Sequence, residues 1–136
     1  MFDKKLITQW IRDGIDENTI KNASEWGKLF VEPNNKAFYQ DALTTSQIRN
    51  VFGELRRIQL NGYVNEKTSF LLLKPKLAYA VKKHRKKGIE LFYQMFCLAY
   101  DAVNTTDDSI GEKNFKNLMD LMEAVLAYHK FHGGKE

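Results

Sequence analysis

Cysteine occurs once in this chain of 136 residues, proline twice, and no apolar run comes near the length of a membrane span. A lone Cys97 excludes an internal disulfide framework and suits a reducing compartment. Two prolines and eight glycines are too few breakers for a β-sandwich or a disordered tail. A membrane helix needs ~20 consecutive apolar residues, and none is found. Gly-rich phosphate loops, nucleophile elbows and HExxH spacings are missing as well. The opening MFDKKLITQWIRDG carries Asp3 and Asp13 and lacks a small-residue cleavage pattern, so it does not read as a signal peptide. There is no internal repeat. These absences lead to the expectation of a single cytoplasmic domain over 1–136, with no catalytic site, no cofactor, no metal and no membrane partner.

What is present is charge in one place. The stretch from Lys67 to Glu90, KTSFLLLKPKLAYAVKKHRKKGIE, holds eight of the chain's 21 basic residues before its first acid. Without those eight, 13 cations would face 17 acids, and the net +4 would become −4. Charge concentrated on one element of a small domain points to a polyanionic partner.

Helical periodicity dominates the rest. The spacing predicts a short helix over residues 4–13, ended by Gly14. A second over 17–31 is capped by Asp16 and has Ile20, Trp26, Leu29 and Phe30 as candidate core. Residues 32–41 read as a polar connection. Thr44 or Thr45 caps a third helix whose stripe is Ile48, Val51, Phe52, Leu55 and Ile58, ending at Asn61-Gly62. FLLL is too apolar for a loop, so Pro75 is expected to kink a helix that begins near Glu66 and closes at Gly88. A fifth helix over 89–103 is apolar nearly all round, hence central in a bundle or buried against another subunit. A sixth runs from about Gly111 to His132, with Gly133-Gly134 as its stop. The fold class expected is all-α, a compact bundle of five to six helices.

Side chains then sort by angle at about 100° per residue. Lys76, Tyr79, Lys83 and Lys86 share one side of the fourth helix, opposite Leu77, Val81 and His84. A lysine line broken by an aromatic is what a nucleic-acid backbone needs. A solvated face with a snorkelling tyrosine is the plainer explanation. On the third helix Arg49 and Arg56 lie ~10 Å apart along the axis with Gly53 between them. A mid-helix glycine costs up to ~1 kcal/mol and is tolerated where something approaches the backbone. The alternatives are a ligand gripped by the two guanidinium groups, or a neighbouring helix packed on Gly53 with Arg56 paired to an acid. His129 and His132 could share a metal, but no third ligand completes a set, and a packed histidine fits better. His84 has the same explanation. Cys97 has no evident cation to stabilise a thiolate.

LTTSQIRNVFGELRRI, LLLKPKLAYAVKKH and the ending MEAVLAYHKFHGGKE together resemble the small subunit of type III-A CRISPR–Cas interference (Csm) complexes. The likeness covers roughly residues 42–134, and the first 40 are less distinctive. It implies a small helical bundle without catalytic activity, stacked in several copies along the complex. There it would clamp the guide RNA–target RNA duplex by its backbone, beside other subunits of the complex. By motif, the resemblance assigns an RNA contact to Arg49 and to Lys83, beside Lys82. Gln47 stands where some relatives carry a basic residue, and Lys82-Lys83 where some carry Gly-Arg. Joining the residues to the resemblance, the RNA-binding set is Arg49, Arg56, Lys76, Lys82, Lys83, Arg85 and Lys86, with Lys130 as a further member. A helical adaptor whose basic face docks on an acidic protein is the alternative, and a metal-dependent hydrolase on His129 and His132 a third.

Overall fold

Side-chain caps mark where the helices begin. The computed structural model describes residues 2–33 and 41–134. Helix α1 (Lys4–Asp13) starts at Asp3, whose carboxylate accepts from the Leu6 amide, and Gly14 ends it. Helix α2 (Glu17–Val31) opens with a reciprocal box: the Thr19 amide donates to Asp16 at 2.9 Å, and the Asp16 amide donates to the Thr19 hydroxyl at 3.0 Å. The same device starts α3 (Thr45–Asn61). There the Gln47 amide donates to the Thr44 hydroxyl and the Thr44 amide donates to Gln47 Oε1 at 2.8 Å. Helices α4 (Lys67–His84), α5 (Lys87–Asp101) and α6 (Asp108–Phe131) follow, the last capped by Asp107. Among the described residues there is no strand, and the fold is an all-α bundle of six helices.

Helix α6 is the long support, packed on α1, α2 and α3, while α5 packs on α1, α2 and α4. The apolar circumference of α5 is explained by this central position: Leu91, Phe92, Met95, Phe96 and Ala99 are buried. Phe30 meets Phe92 edge-on at 5.7 Å, which ties α2 to α5. Ile20 is exposed and is not core: it stands near the start of α2, while Gly27 and Val31 at nearly the same angle further along are buried. The proposed connection over 32–41 falls largely on residues 34–40, which lie outside the described residues.

Pro75 does sit inside one continuous helix, as the apolar FLLL run suggested. Proline has no N–H, so the Leu71 carbonyl one turn earlier loses its helical donor. The Tyr100 hydroxyl supplies a replacement, donating to the Leu71 oxygen at 2.9 Å. The Tyr100 ring also stacks on Phe70 at 4.7 Å, and the Lys74 ammonium lies over its face while pairing with Asp101.

The helix does not close at Gly88. It ends at His84, and Arg85 makes the turn in the left-handed region, φ 52°. That conformation disfavours a side-chain-bearing residue. Gly88 is needed elsewhere: buried in the first turn of α5, it donates its amide to the Asp41 carbonyl at 2.7 Å. A side chain there would collide with the backbone of Ala42 and Leu43. A composition-based stop signal is thus a packing site.

Candidate nucleic-acid interface

The topology gathers one end of the bundle from four helix termini. The start of α3, the start of α5 and the ends of α2 and α6 meet on the segment Asp41–Thr45, and only Arg85 and Lys86 separate α4 from α5. Leu43 donates its amide to the Phe30 carbonyl at 2.8 Å. The Leu43 carbonyl accepts from His129 Nε2 at 2.6 Å, and the Thr45 hydroxyl donates to the Gly134 carbonyl. Gly134 lies over the His129 ring so closely that a Cβ would strike it. The C-terminal YHKFHGG is therefore an internal fastening.

His129 is fully buried, as expected for a packed histidine. Burial holds its pKa below the ordinary value, partly offset by the bond to Leu43 and reinforced by nearby Lys130. Its Nδ1 is buried without a hydrogen-bond partner among the described residues. His132 turns to a different neighbour, the Ser24 hydroxyl at 3.2 Å. Two rings so placed do not converge on one metal, and no group of three or more His, Cys, Asp or Glu suited to a metal occurs among the described residues. His84 is exposed, not packed: it stands in the last turn of α4, beyond the core that buries Leu77.

Around this end stand most of the nominated cations. Arg49 is exposed in the second turn of α3. Lys82, Lys83 and Arg85 are exposed and Lys86 half-buried where α4 passes to α5, and Lys130 is exposed at the end of α6. Lys87, exposed at the first position of α5, joins them. It escaped sequence reasoning because a lysine beside a glycine read as helix exit. The amino ends of α3 and α5 add partial positive charge here.

Helices α3 and α4 run antiparallel, with a groove between them lined by Asn50, Val51 and Glu54 on one side and by Leu73, Lys76, Leu77 and Ala80 on the other. Gln47 lines it too, but its amide is committed to the cap of α3, which accounts for a neutral residue at that position. Glu54 is the groove's acid. A hydrogen bond from Arg57 holds its carboxyl below the ordinary range, against the opposing effect of burial, with further help from the charges of Arg57 and Lys76. Arg57, at 2.8 Å from Glu54 and 3.3 Å from Glu66, is the arginine tied to acids. Arg56, its neighbour, is exposed and pairs with no carboxylate among the described residues.

Lys76 and Lys83 line one flank of α4, with Tyr79 between them at 69% exposure. Arg49 and Arg56 are rotated about 150° round α3 from Glu54, so they occupy the flank turned from α4. The structure brings Lys76 into the groove wall and Arg56 onto the opposite flank of α3. The remaining members cluster at the bundle end.

Partnering divides the basic stretch further. Lys67 is bonded to Asp108 at 2.6 Å and Lys74 to Asp101 at 3.0 Å, both fastening α4 to its neighbours. Lys76, Lys82, Lys83, Arg85, Lys86 and Lys130 make no ion pair among the described residues. Cys97 is only half-buried and does have Lys74 near it. Burial nevertheless pushes its thiol up, against the pull of a Tyr93 hydrogen bond and of that ammonium.

No helix among the described residues is long and apolar enough to cross a membrane. Neither a curated protein nor a solved structure matches the chain. A family model does: Csm2 Type III-A matches residues 16–135, reaching back through α2 to the Asp16 cap and beyond the 42–134 of the sequence likeness. The chain belongs to the Csm2 family and is a small subunit of a type III-A CRISPR–Cas (Csm) interference complex.

Proposed function

We propose that this chain is a non-catalytic, cytoplasmic RNA clamp. It stacks in several copies within its complex and holds the guide–target duplex by the ribose-phosphate backbone, whatever the base order. Arg49, Arg56, Lys76, Lys82, Lys83, Arg85, Lys86 and Lys130 are the contacts, with Tyr79 as a stacking surface. The observation that carries this reading is the division of labour within one basic stretch. Lys67 and Lys74 are consumed by Asp108 and Asp101, while Lys76, Lys82, Lys83, Arg85 and Lys86 have no carboxylate partner among the described residues. Single unpaired surface lysines are ordinary; what supports the clamp is five such cations gathered within residues 76–86 of a single stretch. Backbone contacts position a strand without reading it, so specificity comes from pairing between the RNAs.

The test is Lys82→Ala with Lys83→Ala, measured by gel shift on unrelated single strands and duplexes at two salt concentrations. Two lost phosphate contacts should lower affinity about tenfold at low salt and flatten the salt slope by roughly two. A change in preference for one sequence over another would contradict the clamp.

The exposed Leu71 and Leu72 of α4 favour a second reading, an adaptor that also buries this helix against a protein partner. Loss of the assembled complex in the same double variant, with RNA absent, would support the adaptor.

A further inference from the structure

Three glycines inside helices are explained by the fold itself. A Cβ on Gly27 would stand 2.7 Å from the Tyr128 carbonyl carbon of α6. One on Gly88 would strike the Leu43 backbone, and one on Gly111 the Asn104 carbonyl. Each glycine lets two segments of backbone approach. Gly53 is different. It lies midway along α3 and is exposed, and a Cβ there would meet no described atom within 4 Å. Alanine would suit an open helical site better, since glycine is the poorer helix former. Nothing in the described fold accounts for the glycine.

The surroundings indicate what approaches. Arg49 lies four residues before Gly53 and Arg56 three after, both exposed on the same flank. The one acid of α3, Glu54, is rotated toward α4 and engaged by Arg57. The two arginine positions stand about 10 Å apart along the axis, which leaves room for a sugar between them. A helix of a second copy packed against Gly53 would desolvate Arg56, which no carboxylate among the described residues of its own protomer compensates. A polyanionic strand needs that guanidinium.

Building on the clamp reading, we infer that Gly53 is a seat for one ribose of the bound RNA. The sugar rests on bare helix backbone while Arg49 and Arg56 hold the phosphates on either side. The backbone amides there are already used by the helix, so the contact is one of shape. It is therefore blind to base identity.

Gly53→Ala tests this in the complex assembled with its guide RNA, with the free subunit followed by thermal unfolding. The expected result is opposite in sign for the two readouts. The subunit's Tm should rise by roughly 3 °C. Retention of unrelated target RNAs should fall about five- to tenfold, because the added methyl displaces the sugar. Unchanged retention with raised Tm would overturn the seat, as would a lowered Tm, which would mean internal packing. Failure of the variant to assemble before RNA is added would also overturn it and indicate a protein at Gly53. Arg56→Ala, run alongside, separates the two levels. If it weakens retention and Gly53→Ala does not, the clamp stands and the seat falls. If neither weakens retention, the clamp itself falls.

Discussion

The last turns of α4 and α6 make an instructive pair. Both lie at one end of the bundle, and both are rich in lysine and histidine. At the end of α6 the two histidines turn in, although Lys130 and Phe131 are exposed: His129 is buried on the Leu43 carbonyl, Gly134 covers its ring, and His132 reaches Ser24. At the end of α4 the side chains turn out: Lys82, Lys83, His84 and Arg85 are all exposed. The more distinctive of the two motifs is the structural one. The less distinctive run of lysines is the surface available to a partner. Geometric fastening demands particular residues, whereas a backbone clamp demands only charge at roughly the right place.

That contrast can be broken by substitution. The largest effect on stability should come from His129→Ala, which leaves the Leu43 carbonyl unpartnered and opens space beneath Gly134. Equilibrium denaturation should show a loss of roughly 2–3 kcal/mol. His129→Gln, which can keep a donor to Leu43, should lose less. The same residue fixes a pH dependence. Its pKa is lowered in the folded state, so the unfolded chain takes up the proton first. Stability should fall as pH drops below the unfolded value of about 6.5, by at most about 1.4 kcal/mol per pH unit. His129→Gln should remove that slope, and an unchanged slope would show that other groups carry it.

A middle-sized effect belongs to Tyr100→Phe. It keeps the stack on Phe70 but removes the donor to the Leu71 carbonyl, and should cost about 1 kcal/mol by chemical denaturation. RNA retention should be unaffected, since Leu71 precedes the unpaired cations. Smallest is Arg85→Gly, which relieves the left-handed backbone and should raise stability by about 0.5 kcal/mol. It should also weaken RNA binding about two- to threefold at low salt, through one lost phosphate contact. If Arg85→Gly left binding untouched, the cationic end of α4 would be narrower than drawn.

Much of this architecture could be read beforehand because local chemistry decides it. Asp16 with Thr19, and Thr44 with Gln47, are caps whose function needs only four residues of sequence. The FLLL run forced Pro75 into a helix, and the Tyr100 hydroxyl was the partner that sequence could not supply, 29 residues away. Misreadings occurred where tertiary contact overrode a local rule. Gly88 read as a helix stop and is a close approach to Leu43. Ile20 read as core, yet it stands near the start of α2, where the face that buries Gly27 and Val31 is still open. His84 shares the wheel angle of buried Leu77, but it stands in the final turn, where there is no core left to enter. The cations were legible as a population. Which of them the fold consumes, Lys67 and Lys74, depended on acids 41 and 27 residues downstream.

The tie from Tyr100 to Leu71 has one further consequence. A regular helix frays on its own terms, because each of its bonds belongs to itself. By handing one carbonyl to a neighbouring helix, the first half of α4 gives up that independence and must open together with α5. Among the described residues the half beyond Pro75 has no side-chain bond of that kind, and packing at Leu77 holds it to the bundle. The unpaired lysines therefore stand on the half of α4 whose opening this bond does not tie to that of α5.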